Sequence, residues 1–471
     1  MYPLVLALSL MTAGVMARDV DYCFAEEEDP YLFMGMKTAY HFVMSGRTRY
    51  QNIPDCEPIQ IWMIARHGTR YPSSSEVTKL QTLPKLRDQI VYSHENRGFG
   101  HLCNQDLENL KRWRLDPNVN LGMAKQLTAQ GEEDMRLLAR RLQSNFPELL
   151  QPNSGNITAA NYKFRTTSED RTRASMELFM EGLFGSRTAL PHEENPGNDT
   201  LLHANKACGS WEATSENNTI IEEEDTKFMM TPPFENLVHN VSRRLGFLHN
   251  ISTASLLIMY DMCRYEKAWS VSNLSPWCAV FAKEELKVLE YEEDLYSYYY
   301  SGYGREVNEK LGCPPLKDMF DHFRKLERGD FSGQPKGVFS FSHSTPLQLL
   351  MTTMGIAKDS EPLTATNYNG MSKRKWRTSF LGPFASNIVA VFYRCKNPEY
   401  PNKVIFYQQE SPILFEGCNV GLCDWEYLKN KYNKAVSECD LNFCWDRSGA
   451  SSNFRIDLTH LLLLLVIFVC Y

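Results

Sequence analysis

Apolar positions along the chain fall into two patterns, short continuous runs and runs with helical spacing. Residues 59–65 (Ile59, Gln60, Ile61, Trp62, Met63, Ile64, Ala65) are almost unbroken in β-branched and aromatic character. That run predicts a strand buried on both faces of a parallel sheet. Tyr162–Thr166 predicts a shorter strand, and the segment behind it sets Met176, Phe179, Met180 and Leu183 on one helix face with Gly185 past the end. Residues 337–342 predict a third strand, followed by a helix over 346–354 that stops at Gly355. Residues 387–393 and 404–408 flank a turn rich in Cys, Asn and Pro and read as a hairpin. Strand–helix alternation at both ends of the chain predicts an α/β sheet flanked by helices. Residues 191–302 are helical and loop-rich, which predicts an inserted, mostly helical subdomain in a core built from 18–190 and 303–447.

The termini carry a third pattern. Residues 4–16 are apolar but too short to cross a membrane, and Ala17 precedes polar Arg18 and Asp19, so 1–17 read as a signal peptide. Residues 448–471 begin with Ser448, Gly449, Ala450, Ser451 and Ser452, continue through a mostly polar spacer and end in an apolar tail. That order is the signature of a glycolipid-anchor signal whose tail is removed. The chain has 13 cysteines. Removal of the tail takes Cys470 and leaves an even set suited to disulfides in an oxidising compartment. Glycosylation sequons stand at Asn156, Asn198, Asn217, Asn240, Asn250 and Asn273. These features predict passage through the secretory pathway to the extracellular face of the plasma membrane, lipid-anchored or secreted. With 471 residues, 43% of them hydrophobic, wholesale disorder is excluded. A net charge of −7 offers no global attraction to nucleic acid, so a polyanion needs a local basic pocket.

Such a pocket is foreshadowed at three strand ends. The first runs into Arg66-His67-Gly68-Thr69-Arg70-Tyr71-Pro72, the second carries Arg165 with Arg171 and Arg173 behind it, and the third ends at His343. Ligands of an α/β sheet bind outside the carboxyl ends of its strands, so these groups can converge. Arginine offers forked donors that match phosphate oxygens, and a neutral imidazole is a nucleophile that can hold a phosphoryl group. Gly68 is expected to let the backbone approach a ligand closely. Spacing does not choose among Arg165, Arg171 and Arg173. No metal or other cofactor is expected.

The motif from Arg66 to Pro72 resembles the signature of the histidine acid phosphatase superfamily, and the chain is similar to its multiple inositol polyphosphate phosphatase branch. The stretches that carry the likeness include Met259-Tyr260-Asp261-Met262-Cys263, Ser275-Pro276-Trp277-Cys278 and Pro383-Phe384-Ala385-Ser386-Asn387. The resemblance implies an α/β core whose helical subdomain caps the site. It implies His67 as nucleophile, and Arg66, Arg70, Arg171 and His343 as phosphate ligands. Arg171 fits the family pattern better than Arg165, because Ser175, Phe179 and Gly182 follow it. Related phytases imply a Cys56–Cys395 disulfide, with Cys263–Cys278 and Cys418–Cys423 as local pairs.

One departure matters. The family places a carboxylate just after the second histidine to protonate the leaving alkoxide, whereas here His343-Ser344-Thr345-Pro346 contains none. Thr345 reads instead as the cap of the next helix, in a capping box with Gln348. The expected function is phosphomonoester hydrolysis of inositol polyphosphates through a phosphohistidine, with Ser344 and Thr345 where the acid would be. The alternatives are a catalytically impaired surface protein that binds phosphorylated ligands, and a general acid phosphatase. Lys373, Arg374, Lys375 and Arg377 read as added positive charge for a polyanion or as a solvated loop. No protein partner is inferred.

Overall fold

The computed structural model describes residues 23–24, 32–44, 53–151, 157–185, 190–195, 197–216, 219–329, 331 and 333–445. The signal-peptide and anchor expectations, and the sequons at Asn156 and Asn217, lie outside the described residues. Asn198, Asn240, Asn250 and Asn273 are all exposed. Among the described residues no helix is long and apolar enough to cross a membrane.

The strands are β1 (Cys56–Arg66), β2 (Tyr162–Thr166), β3 (His192–Glu194), β4 (Gly337–Ser342), β5 (Asn387–Cys395), β6 (Asn402–Gln408), β7 (Ser411–Pro412) and β8 (Leu422–Asp424). They form one sheet in the order β3-β2-β4-β1-β5-β6-β7, with β8 also on β6. β1, β4, β2 and β3 run parallel, while β5 and β6 form the expected antiparallel hairpin on the other side of β1. The helices used below are α1 (Ala129–Asn145), α2 (Asp170–Phe184), α3 (Thr253–Trp269), α4 (Lys283–Tyr300), α5 (Cys313–Glu327) and α6 (Ser344–Met354).

The apolar continuity of β1 follows from its two buried faces. Ile61, Met63 and Ala65 pack with Met135, Leu138 and Leu142 of α1 and Phe179 of α2. Trp62 and Ile64 face the opposite layer, with Phe320 and Phe323 of α5 and Leu347 and Leu350 of α6. That second core runs without a break into Tyr260 and Tyr265 of α3 and Leu289 and Leu295 of α4, so the 191–302 helices share their apolar packing with the sheet. Each such side chain contributes about 1.5–3 kcal/mol of burial.

Two boundaries differ from expectation. Residues 192–194, assigned to the helical subdomain, extend the sheet edge as β3. Their His-Glu-Glu sequence has no apolar pattern; Glu193 and Glu194 are held by Arg165 and Arg173 at 3.0 and 2.7 Å. The helix after β4 begins two residues early, with His343 in the cap position and no side-chain cap. The capping box expected of Thr345 is therefore not formed. Gln348 instead accepts hydrogen bonds from Ser297 and Ser301, 3.1 and 2.6 Å, and ties α6 to the end of α4.

Among the described residues six disulfides close the chain. Cys56–Cys395, Cys263–Cys278 and Cys418–Cys423 are as expected, the first bridging a directly paired position of β1 and β5. Cys23–Cys103, Cys208–Cys444 and Cys313–Cys439 complete the set.

Candidate active site

Parallel pairing puts the carboxyl ends of β1, β4 and β2 on one edge, with Arg66 beside Ser342 and Thr166 beside Phe341. The chain leaves β1 at His67, leaves β4 at His343 and enters α2 after β2. His67 and His343 are buried, with ring centroids 5.7 Å apart. His67 donates from Nδ1 to the Gly68 carbonyl at 2.9 Å, which leaves Nε2 as the basic nitrogen. The Pro383–Asn387 stretch backs this loop: Arg66 N–H donates to Ser386 and Ala385 N–H to His67, and the Arg66 guanidinium lies 4.6 Å over the Phe384 ring.

The structure separates the three arginines that spacing left open. Arg165 is buried between Glu193 and Asp318, at 3.0 and 2.7 Å. Arg173 pairs with Asp170 and Glu194. Arg171 donates to His343 Nδ1 at 3.2 Å, pairs with Glu169 and belongs to the site. His343 Nδ1 is thus an acceptor, and its Nε2–H points to Thr167 Oγ1 at 3.1 Å. The ring in this tautomer holds Arg171; it could donate to a phosphate from Nδ1 only after Arg171 moves away and Nδ1 takes up a proton. Arg70 reaches Tyr265 of α3 at 3.4 Å and Glu76 at 3.7 Å, and Trp269 donates to its carbonyl at 3.1 Å.

Gly68 has a packing reason. A Cβ there would meet the Gly131 carbonyl oxygen at 2.4 Å, so the loop touches the backbone of α1. The close approach is to a helix, where a ligand was expected.

Charge dominates the pocket. Burial pushes His67 well below the ordinary histidine range, and Arg66, Arg171 and Arg70 push it further. His343 is depressed by burial, then Arg171 and His203. Both rings are therefore neutral at mildly acid pH. Arg66 Nε and Arg171 Nε are buried without a hydrogen-bond partner, a costly arrangement unless an anion accepts from them. A neutral nitrogen nucleophile among guanidiniums suits the attack on a phosphate and the stabilisation of its equatorial oxygens.

Sequence reasoning missed three contributors. Lys37 lies between Glu76 and Asp261, 3.2 and 3.0 Å, and over the Tyr265 ring at the rim. Glu169 holds Arg171, and His203 stacks on His343 with centroids 4.6 Å apart. Only Glu169 had a signal, standing just before a helix whose second residue is an arginine. Glu169, His203 and His343 bring one possible ligand atom each within 4.8 Å of one another. They do not fit a metal: His343 has committed Nδ1 to Arg171 and Nε2 to Thr167, and a cation would face the Arg171 guanidinium. The basic run divides: Lys373 and Lys375 are exposed, as a solvated loop would have them, and the two arginines are not. Arg374 is buried against Glu290 and Asp294, 2.8 and 2.5 Å, and Arg377 pairs with Glu290 at 2.9 Å.

Residues 59–407 match the model of the histidine phosphatase superfamily (branch 2), and the chain belongs to that family. It is 35% identical to multiple inositol polyphosphate phosphatase 1 of Drosophila melanogaster, covering 95% of this chain and 94% of that protein. It is 30% identical to the Homo sapiens protein of the same name, covering 86% and 87%. In fold it is similar to the phytase from D. castellii, with a TM-score of 0.67 at 19% identity, covering 87% of this chain and 85% of that one.

Proposed function

We propose that the protein is a metal-independent phosphatase for inositol polyphosphates that works through a phosphohistidine on His67. Arg66, Arg70 and Arg171 bind the transferring phosphate, and His343 joins them once Arg171 turns from its ring to the substrate and Nδ1 is protonated. The observation that carries this reading is the neutral, buried His67 set among guanidiniums, two of which have unpartnered buried N–H groups. The substrate class is supported by the shared name of the Drosophila melanogaster and Homo sapiens relatives. The setting is proposed to be extracytosolic, in keeping with six disulfides and four exposed sequons.

Thr345, with no carboxylate near it in sequence, favours one second reading, a protein that binds phosphorylated ligands without turnover. Phosphate release from inositol hexakisphosphate at mildly acid pH decides between them. The enzyme reading expects release that His67→Ala abolishes, and an acid-labile phosphohistidine on His67 after rapid quench. Binding of the hexakisphosphate without release would replace it with the second.

A further inference from the structure

Expelling a ring alkoxide requires a proton, and a positioned donor contributes about 10²–10⁴ in rate. The described residues around His343 limit the choice. Thr345 is a weak hydroxyl acid, His343 commits its Nε2–H to Thr167, and Glu169 is bound to Arg171. His203 remains. Its ring is in contact with His343, which is in turn in contact with His67.

His203 is also mounted rigidly. Its N–H donates to the Asp199 carbonyl at 3.0 Å, and Asp199 caps the turn by accepting from Leu201 and Leu202 at 3.1 and 2.8 Å. Ser342, the last residue of β4, donates to the Leu202 carbonyl at 2.5 Å. The following turn packs Ala204 with Leu349 of α6, and Cys208 is bonded to Cys444. A segment outside the family motif is thus fastened to the end of β4 and to α6, with one imidazole beside the N-terminal turn of that helix.

Resting on the function proposed above, we propose that His203 is the general acid of this site, standing in for the carboxylate that Thr345 lacks. As His67 Nε2 attacks, the N–P bond forms and the P–O bond to the inositol ring breaks. The departing oxygen takes the proton of the His203 imidazolium and leaves as the alcohol. The neutral imidazole then accepts a proton from the water that cleaves the N–P bond, which restores the imidazolium and frees His67 and inorganic phosphate.

The charged groups facing His203 are Glu169 and Arg171 at the start of α2, Lys206 on its own turn and His343 at the cap of α6. Burial, Lys206 and Arg171 lower its pKa to about 4, and Glu169 opposes them. The imidazolium is accordingly present at acid pH and lost as pH rises.

The test compares kcat/KM for inositol hexakisphosphate, whose leaving group needs a proton, with 4-nitrophenyl phosphate, whose leaving group does not. His203→Gln should lose about 10²–10⁴-fold on the first and only a few-fold on the second. The wild-type ratio of the two should fall as pH rises through the His203 titration, and that dependence should vanish in the variant. In the His203→Gln background, Thr345→Glu should restore the hexakisphosphate reaction. Equal losses on both substrates, or no loss, overturn the assignment while leaving the phosphatase reading intact. A leaving-group series on the wild type needs no folded variant: rates that fall steeply with leaving-group basicity at acid pH would also overturn it. Wild type inactive on both substrates overturns the parent reading and this one with it.

Discussion

Arg374→Met separates a structural cluster from a substrate site. The Arg374 guanidinium donates to Asp294 at 2.6 Å and to Glu290 at 2.8 Å, and all three side chains are buried. Thr378 donates twice more to Asp294, and Arg377 donates twice to Glu290. Two carboxylates are thus balanced by two guanidiniums away from bulk water. Removing one guanidinium leaves a buried charge uncompensated, which costs about 3–5 kcal/mol. Burial already raises both carboxyls, and the guanidiniums oppose it. Without Arg374 one carboxyl should bind a proton in the folded state, with its pKa raised above the unfolded value. The destabilisation should then be largest at neutral pH and shrink as pH falls towards the unfolded carboxyl range, by up to about 1.4 kcal/mol per pH unit for one extra proton. Urea midpoints of wild type and variant at neutral and mildly acid pH measure this. A variant as stable as wild type at neutral pH but weaker in binding inositol hexakisphosphate would refute the reasoning and return the basic run to the substrate.

Thr345→Glu should cost no cap, since Thr345 makes none, and should add about 0.3–1 kcal/mol of helix-dipole stabilisation, read as a raised urea midpoint. Gly68→Ala should destabilise by about 1–3 kcal/mol through the clash with Gly131, and it should reduce turnover by displacing His67; an unchanged midpoint would contradict the close approach. Phosphatidylinositol-specific phospholipase C should release the protein from cell surfaces with a C-terminus near residues 448–450, whereas recovery of Tyr471 in the mature chain would rule the anchor out.

The sheet was legible because its inner strands are buried on both faces. β2 and β4 were located to the residue from their apolar runs, and Gly185 and Gly355 mark the ends of α2 and α6 in left-handed conformation. β3 was not legible, because an edge strand of His-Glu-Glu is held by backbone bonds and by arginines distant in sequence. The loop that carries His67 announced itself in one contiguous motif. Spacing left Arg171 level with Arg165 and Arg173, and only the family resemblance singled it out; in the structure it is the one of the three that bonds His343. His203 was invisible because its neighbours, Glu169 and His343, come from two other elements. The Arg374 cluster shows the converse, a dense basic run whose two arginines are neutralised by Glu290 and Asp294 on a helix some 80 positions earlier.

The arginines of the pocket, proposed to bind the phosphate, also act on His67. An ordinary imidazole, with a pKa of about 6.5, is mostly protonated at acid pH and cannot attack phosphorus. Burial and three guanidiniums depress His67, so it keeps its lone pair under conditions where a surface histidine has lost it. His203 is lowered to about 4, chiefly by burial, with Glu169 opposing Lys206 and Arg171. In the proposed mechanism the surroundings of each histidine set its role, a neutral nucleophile at His67 and an acid at His203. Neutralising Arg66 should therefore weaken the reaction twice. It removes a phosphate donor, and it raises the pKa of His67, so the acid-side loss of kcat/KM should move to higher pH. A loss of affinity with an unmoved acid limb would mean that burial alone keeps His67 neutral.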